Sequence, residues 1–177
     1  VSLATANHLS GLEWAAGIPG SVGGAIRGNA GAYGSSMEAA VETVEVFDMA
    51  KGKFDLFSRN LCKFDYRHSI FKADKSKVVW SAVLKLQKGD KETILAKVND
   101  ILDKRLRSNP KLPSAGCVFK NFRIEEIEQS NPQLAQDARD CKVVKGGKVG
   151  AGWIIEQADL KGKKMGEVKV SLEHANF

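Results

Sequence analysis

Between Gly17 and Gly34 the sequence runs GIPGSVGGAIRGNAGAYG, in which seven of eighteen residues are glycine. Glycine costs about 0.5–1 kcal/mol relative to alanine inside a helix or strand, so the run needs a physical reason. Interleaved side chains such as Ile18, Val22 and Tyr33 argue against a flexible linker. Two alternatives remain, a structural turn and a loop whose N–H groups contact a ligand such as an anion. The GxGxxG and GK[ST] nucleotide patterns are absent, so spacing alone does not identify that ligand.

The three cysteines are a second source of chemistry. Cys62, Cys117 and Cys141 are widely spaced and form no CxxC pair, which favours a reducing cytoplasm and predicts no metal site. Cys117 lies beside Gly116 in a turn that follows Pro113. A free thiol has a pKa of about 8.5, so it can act as a general acid. A buried structural thiol is the alternative.

Composition limits the partners that we expect. The 177 residues carry a formal net charge of +6, with 43% hydrophobic and 27% charged residues, as in ordinary globular proteins. The basic residues are spread along the chain without interleaved aromatics, which favours a small anionic ligand over nucleic acid. We expect no membrane partner, because there is no apolar run long enough to span a bilayer. We expect a monomer.

The elements that must position these residues follow from hydrophobic periodicity. Alternation in VETVEVF predicts a strand at 41–47, and a turn at 50–53 followed by FDLF predicts a hairpin. VVWSAVLKL predicts another strand at 78–86. An apolar stripe at helical spacing predicts an amphipathic helix over 90–108.

Prolines 110 and 113 end that helix, so we place a domain boundary there, with domains 1–108 and 109–177. A second glycine-rich zone at 146–152 precedes the helix-like AGWIIEQA, and the segment from Gly166 begins as a strand. This order predicts an α+β fold.

Five motifs resemble one family in content and order. They are the Gly17–Gly34 stretch, YRHSIFK at 66–72, PSAGCVFKN at 113–121, AGWIIEQADLKGKKMGEVKVS at 151–171, and EHANF at 173–177. Together they are similar to UDP-N-acetylenolpyruvoylglucosamine reductase, the MurB family of peptidoglycan synthesis. The resemblance extends over nearly all 177 residues.

The resemblance implies a fold and a reaction. The fold is the second subdomain of a vanillyl-alcohol-oxidase-like (PCMH-type) FAD-binding domain, followed by a truncated α+β substrate-binding domain. In the reaction, NADPH reduces bound FAD, which then passes hydride to the enolpyruvyl group of UDP-N-acetylglucosamine enolpyruvate. The product is UDP-N-acetylmuramate, made in the cytoplasm.

The resemblance also implies roles for particular residues. By its position alone, Arg67 is a surface arginine, but the family's matching arginine stabilises the enolate. Cys117 stands where many members have a serine that acts as general acid. Substrate contacts are implied for Tyr66, Asn121 and His174. FAD contacts are implied for Gly17, Gly20, Gly23, Gly24, Asn29, Ala30, Gly31 and Tyr33.

Three departures leave alternatives open. The family has an FAD subdomain before the first residue of this sequence and a catalytic glutamate beyond its last. Phe122 replaces a proline that usually follows Asn121. We therefore expect this chain alone to be inactive. The alternatives are an oxidase of the same superfamily and a non-catalytic chain that binds FAD or a UDP-sugar. Glu156 and Gln157 either face the substrate or lie on a solvated helix face.

Overall fold

The strands predicted from the alternating sequence form one antiparallel sheet in the computed structural model, which describes all 177 residues. Val41–Asp48 is the central strand. Lys53–Ser58 pairs with it on one side and Lys77–Leu84 on the other. In the first pair Val44 lies opposite Phe57. The predicted hairpin and the third strand are therefore confirmed.

The chain divides into two compact units, Val1–Arg105 and Leu106–Phe177. Both contain helices and strands, so the α+β class is confirmed. Up to residue 108 the helices are Ser2–Ala6, Val22–Arg27, Met37–Ala40, Ile70–Ala73 and Lys91–Ser108, with a 3-10 turn at Glu13–Ala15. The shorter strand pairs there are Leu9–Ser10 with Gln87–Lys88 and Gly31–Ala32 with Ser35–Ser36.

One face of the three-stranded sheet forms the core of the first unit. Val44 and Val46 are completely buried on this face, and Ile26, Met37 and Phe71 belong to the same buried cluster. Alternate residues of a strand point to opposite faces, so the alternation of apolar and polar residues in the sequence puts these valines on the same face.

The opposite face of the sheet is open and apolar. Phe54 and Trp80 are 49% and 68% exposed, and their rings meet edge to face at 5.5 Å. Leu56 and Val83 are also exposed. We call Phe54, Leu56, Trp80 and Val83 the open sheet face.

The predicted amphipathic helix is present as Lys91–Ser108. Asp90 precedes it and accepts the Thr93 N–H at 2.8 Å, which satisfies one of the donors left free at a helix start. Only Ile94 and Ile101 are buried, whereas Leu102 and Leu106 remain exposed. The apolar stripe is thus only partly covered.

The second unit packs three helices around a small core. Its helices are Ile124–Ser130, Pro132–Asp140 and Ala151–Gln157, and its strands are Phe122–Arg123 paired with Lys148–Val149 and Lys164–Met165 paired with Val168–Lys169. The core consists of Ile124, Ile127, Ala135, Ala138 and Val149. The strand predicted from Gly166 is limited to Val168–Lys169, because the chain then turns through irregular backbone. Helix Ala151–Gln157 confirms the helix-like AGWIIEQA.

No helix is both long enough and apolar enough to cross a bilayer.

Candidate functional site

The glycine-rich stretch turns sharply around a short helix. Gly20 has a φ of +122°, which favours glycine, and Ser21 then caps helix Val22–Arg27 by accepting the Gly24 N–H at 3.1 Å. A cavity of about 400 Å³ lies against this stretch. Its lining is largely apolar and includes Trp14, Ile18, Pro19, Gly20, Ser21, Gly24, Ala25 and Ala30.

Arg67 folds back onto the same stretch. It lies in a tight turn closed by hydrogen bonds between Asp65 and His68, and its φ of +53° is uncommon outside glycine. Its Nη2 donates to the carbonyl oxygen of Gly31 at 2.6 Å and its Nη1 to that of Asn29 at 3.4 Å. The guanidinium is thus held by two backbone carbonyls.

Gly31 leaves no room for a side chain. A Cβ at this position would lie 2.7 Å from the Ser35 carbonyl oxygen and 3.2 Å from Arg67 Nη1. Since the first contact is with backbone, it cannot be relieved by a rotamer change. This glycine lets the loop approach the arginine.

Two buried side chains join the Arg67 turn to the glycine-rich stretch. Asn29 Nδ2 donates to the Asp65 carbonyl oxygen at 2.9 Å, and Asn29 Oδ1 accepts the Glu38 N–H at 3.0 Å. Ser69 Oγ donates to the Arg27 carbonyl oxygen at 2.7 Å. The side chain of Asn29, predicted as a cofactor contact, is therefore engaged within the chain.

Arg105, to which the sequence motifs assign no role, reaches the glycine-rich stretch from helix Lys91–Ser108. Its guanidinium lies 5.3 Å from the centre of the Tyr33 ring. A Cβ on Gly17 would approach Arg105 Cδ to 3.0 Å. Its Nε and Nη2 are buried without a hydrogen-bond partner in the chain, which is costly unless a water molecule or a ligand supplies an acceptor. The sequence contained one indication that Arg105 faces inward: it follows Ile101 by four residues, which places both on the same face of the helix.

In the second unit Asn176 holds the segment that follows Cys117. Asn176 is buried, its Oδ1 accepts the Phe119 N–H at 2.9 Å, and its Nδ2 donates to the Phe119 carbonyl oxygen at 2.9 Å. Val118 N–H donates to the Asn176 carbonyl oxygen. Cys117 itself is exposed. The Asn of HANF, which the sequence analysis did not single out, thus fixes the cysteine loop.

Two of the predicted substrate residues, Asn121 and His174, lie near helix Ala151–Gln157. Asn121 Oδ1 accepts the Ala151 N–H at 3.3 Å, at the start of that helix. The His174 ring packs against Gly152, where an added Cβ would lie 3.2 Å from its Cε1. His174 Nδ1 accepts the Asn176 N–H at 3.2 Å. That bond leaves Nε2 as the nitrogen able to face a ligand.

A second cavity, of about 610 Å³, lies beside the cysteine loop within the second unit. Ser114, Ala115 and Gly116 line one side, and the hairpin that carries Lys164, Glu167 and Lys169 lines another. Both lysines are exposed. The cavity therefore has two lysines and one glutamate in its lining.

The remaining candidates are accounted for by local contacts. The Arg67 guanidinium lies 5.2 Å from the Tyr66 ring centre. Burial raises the pKa of the Cys62 thiol to about 11, so this cysteine stays protonated at neutral pH. Glu156 pairs with Lys161 at 2.6 Å, as expected of a solvated helix face. Gln157 is exposed on the same helix.

Two family models match parts of the chain. The C-terminal domain of UDP-N-acetylenolpyruvoylglucosamine reductase matches residues 108–177, and an FAD binding domain matches residues 2–55. A crystal structure of this reductase (MurB) from Thermus caldophilus superimposes with a TM-score of 0.77 at 35% identity, covering 99% of this chain and 55% of that one.

Curated relatives agree over the whole chain. The UDP-N-acetylenolpyruvoylglucosamine reductase of Solibacter usitatus is 41% identical over 175 residues, which is 97% of this chain and 54% of the relative. That of Lactococcus lactis is 36% identical, covering 99% of this chain and 50% of the relative. The chain spans about half the length of these relatives. By its two domains, its fold and its sequence, it belongs to the UDP-N-acetylenolpyruvoylglucosamine reductase (MurB) family.

Proposed function

We propose that this protein serves the NADPH-dependent, FAD-mediated reduction of UDP-N-acetylglucosamine enolpyruvate to UDP-N-acetylmuramate in peptidoglycan synthesis. The observation that carries the proposal is Arg67, whose guanidinium is held by the carbonyls of Asn29 and Gly31 in the stretch that resembles the family's FAD loop. A strained turn that presents a fixed cation is typical of a functional site.

The glycine-rich stretch fits FAD as the ligand. Gly20 has open space at its Cβ position and faces a largely apolar cavity. Arg105 adds two buried donors that lack an acceptor, as expected where an anionic or carbonyl group binds. We assign FAD contacts to the backbone of this stretch and to Arg105. Bound FAD would supply hydride transfer from NADPH to the enolpyruvyl carbon.

Arg67 is assigned the electrostatic role. Hydride addition to the enolpyruvyl double bond leaves negative charge on the substrate's carboxylate and adjacent carbon. A guanidinium fixed before the reaction stabilises this charge without reorganising. Two of its five N–H groups are used on Asn29 and Gly31, so others are left to face the substrate.

Cys117 is assigned the general acid. Its exposed thiol would hold a proton at Sγ and give it to the substrate carbon that carries the new negative charge. The bonds from Asn176 to Phe119 fix the loop that carries this thiol. Tyr66, Asn121 and His174 are assigned substrate contacts, and Lys164 and Lys169 supply positive charge suited to a diphosphate.

Substitution of Cys117 tests the assigned acid. In the intact protein as encoded by its gene, Cys117→Ala should leave reduction of FAD by NADPH normal, while reduction of the enolpyruvyl substrate should fall by about 10²–10⁴-fold. Cys141→Ala is the matched control, since Cys141 is also exposed. Stopped-flow absorbance at the flavin band measures both half-reactions. An equal loss in both would exclude the acid role.

A non-catalytic chain that binds FAD or a UDP-sugar, an alternative that the sequence leaves open, is the second candidate. The visible spectrum of the protein as encoded by its gene, purified without added cofactor, separates the two. A flavin band that NADPH bleaches and the enolpyruvyl substrate restores supports the reductase. A flavin band that the substrate fails to restore supports the second candidate.

A further inference from the structure

We infer that Asn29 is a positioning residue for Arg67, and that it ties the aim of the guanidinium to the state of the glycine-rich loop. The catalytic consequence rests on the proposed function. The structural inference does not, because it concerns contacts between residues of this chain.

The Arg67 turn needs an external restraint. A non-glycine residue at a φ of +53° is strained and persists only where surrounding contacts over-determine it. The turn itself contains two backbone bonds between Asp65 and His68, at 3.0 and 3.1 Å, and a bond from the Tyr66 N–H to Asp65 Oδ1 at 2.7 Å. Contacts from outside the turn add further restraint.

The Asn29 side chain supplies one of them at the base of the turn. It is buried, and its Nδ2 donates to the carbonyl oxygen of Asp65, the first residue of the turn. Its Oδ1 is fixed by the Glu38 N–H. Both polar atoms of the amide are therefore used, and the side chain cannot rotate without breaking a buried hydrogen bond.

The Asn29 backbone supplies a second contact at the other end. Its carbonyl oxygen accepts Arg67 Nη1, beside the Gly31 carbonyl that accepts Nη2. Asn29 thus contacts the turn at Asp65 and the guanidinium of Arg67. These bonds form a closed circuit from Asn29 through Asp65 to Arg67 and back.

The circuit has an energetic consequence. Because Asn29 and Gly31 belong to the glycine-rich stretch, a ligand that orders this stretch also orders the arginine. A ligand that orders Arg67 should equally order the glycine-rich stretch, since the coupling between two binding events is reciprocal. Loss of the Asn29 side chain removes the bond to Asp65 and should weaken this coupling, while the backbone carbonyls of Asn29 and Gly31 remain.

Nuclear magnetic resonance of the arginine side chains tests the inference without any catalytic assay. In ¹⁵N,¹³C-arginine-labelled protein the Arg67 signals are assigned by their absence in Arg67→Lys. Two carbonyl contacts should slow rotation about the Nε–Cζ bond and give separate Nη signals. In Asn29→Asp, which keeps an acceptor for Glu38 and loses the donor to Asp65, rotation should be at least tenfold faster.

The control is Asn7→Asp. Asn7 Nδ2 also donates to a backbone carbonyl, that of Leu3 at 2.8 Å, outside the site; Arg67 should rotate in this variant as in the unchanged protein. If Asn29→Asp does not fold, as judged by near-ultraviolet circular dichroism, Asn29→Gly tolerates the φ of +41° and removes the same donor. Unchanged Arg67 rotation in a folded Asn29 variant would overturn the inference. So would averaged Nη signals in the unchanged protein.

Kinetics separates this inference from the proposed function. If the protein reduces the enolpyruvyl substrate, Asn29→Asp should slow that step about tenfold and change KM little. If the protein shows no reductase activity, the proposed function fails and the resonance result still decides the role of Asn29.

Discussion

At the scale of single residues, one contact explains both an unusual glycine and an unusual arginine. Gly31 accepts the Arg67 guanidinium on its carbonyl, and the absence of Cβ permits this approach. A glycine-rich loop therefore has a use besides contacting a ligand, because it also lets a charged side chain lie against backbone. The sequence left two explanations for the glycines, a structural turn and a loop that contacts a ligand. At Gly31 both can hold together.

Substituting Gly31 tests that explanation. Gly31→Ala should lower the free energy of unfolding by about 1–3 kcal/mol, because the new Cβ overlaps the Ser35 carbonyl and approaches Arg67. Gly28→Ala is the matched control, since the nearest atom to its Cβ is 3.5 Å away, an ordinary contact. It should change stability by less than about 1 kcal/mol. Urea denaturation measures both, and equal losses in the two variants would contradict the packing argument.

At the scale of elements, two carboxylates stabilise one end of the three-stranded sheet. Asp48 ends the central strand, is buried, and accepts the N–H groups of Ala50 and Lys51 at 3.0 and 3.2 Å in the hairpin turn. Lys77, which begins the neighbouring strand, pairs with both Asp48 and Asp74. Lys77 therefore links the turn that follows Asp48 to the turn that follows Asp74, at the same end of the sheet.

This cluster predicts a pH dependence of stability. Hydrogen bonds from Lys77 and Ser76 lower the pKa of Asp74 from 3.8 to about 2. A carboxyl whose pKa is lower in the folded state stabilises the fold above its unfolded pKa and loses that effect as pH falls through its folded pKa. Asp74→Asn should therefore be less stable than the unchanged protein at pH 7, and the difference should vanish between about pH 4 and 2. Thermal unfolding across this range measures it; a difference that stays constant would refute the assignment.

The elements also show what the sequence could predict. The hairpin and helix Lys91–Ser108 were predictable because they carry long, regular apolar periods. Helices Ile124–Ser130 and Pro132–Asp140 were not, since IEEIEQ and PQLAQDARD are mostly polar and bury only small stripes. A local sequence signal did exist, since Asn131 directly precedes Pro132 at a helix start. In the structure Asn131 Oδ1 accepts the Leu134 N–H there.

The candidate site was only partly predictable, because local sequence patterns do not report contacts between distant residues. The motifs singled out Arg67 and Cys117, but periodicity contains no information on long-range polar bonds. The bonds of Asn29 to Asp65 and of Asn176 to Phe119 join residues 36 and 57 positions apart. Such pairs are set by the tertiary fold, so the roles of these asparagines emerge only from the structure.

At the scale of the whole molecule, the open sheet face leaves four large apolar side chains exposed on one side of the sheet. Trp80→Thr should reduce binding of the dye ANS at least twofold and change the free energy of unfolding by less than about 0.5 kcal/mol, because Trp80 is 68% exposed.

The control for this prediction is Trp14→Phe. Trp14 is buried and its Nε1 donates to the Gly11 carbonyl oxygen at 3.1 Å, so its loss should destabilise the fold by about 1 kcal/mol or more. ANS fluorescence and urea denaturation measure the pair. A large loss of stability in Trp80→Thr would mean that this face is packed.

The distance along the chain between bonded partners also governs when the site can form during folding. The contacts that build it close loops of 36 residues between Gly31 and Arg67, 42 between Arg27 and Ser69, and 57 between Phe119 and Asn176. Long loops cost entropy that is recovered only after closure, so local helices and the hairpin form earlier. An incompletely folded chain would thus retain much of its secondary structure while lacking the held arginine, and refolding should restore helical signal before it restores the site.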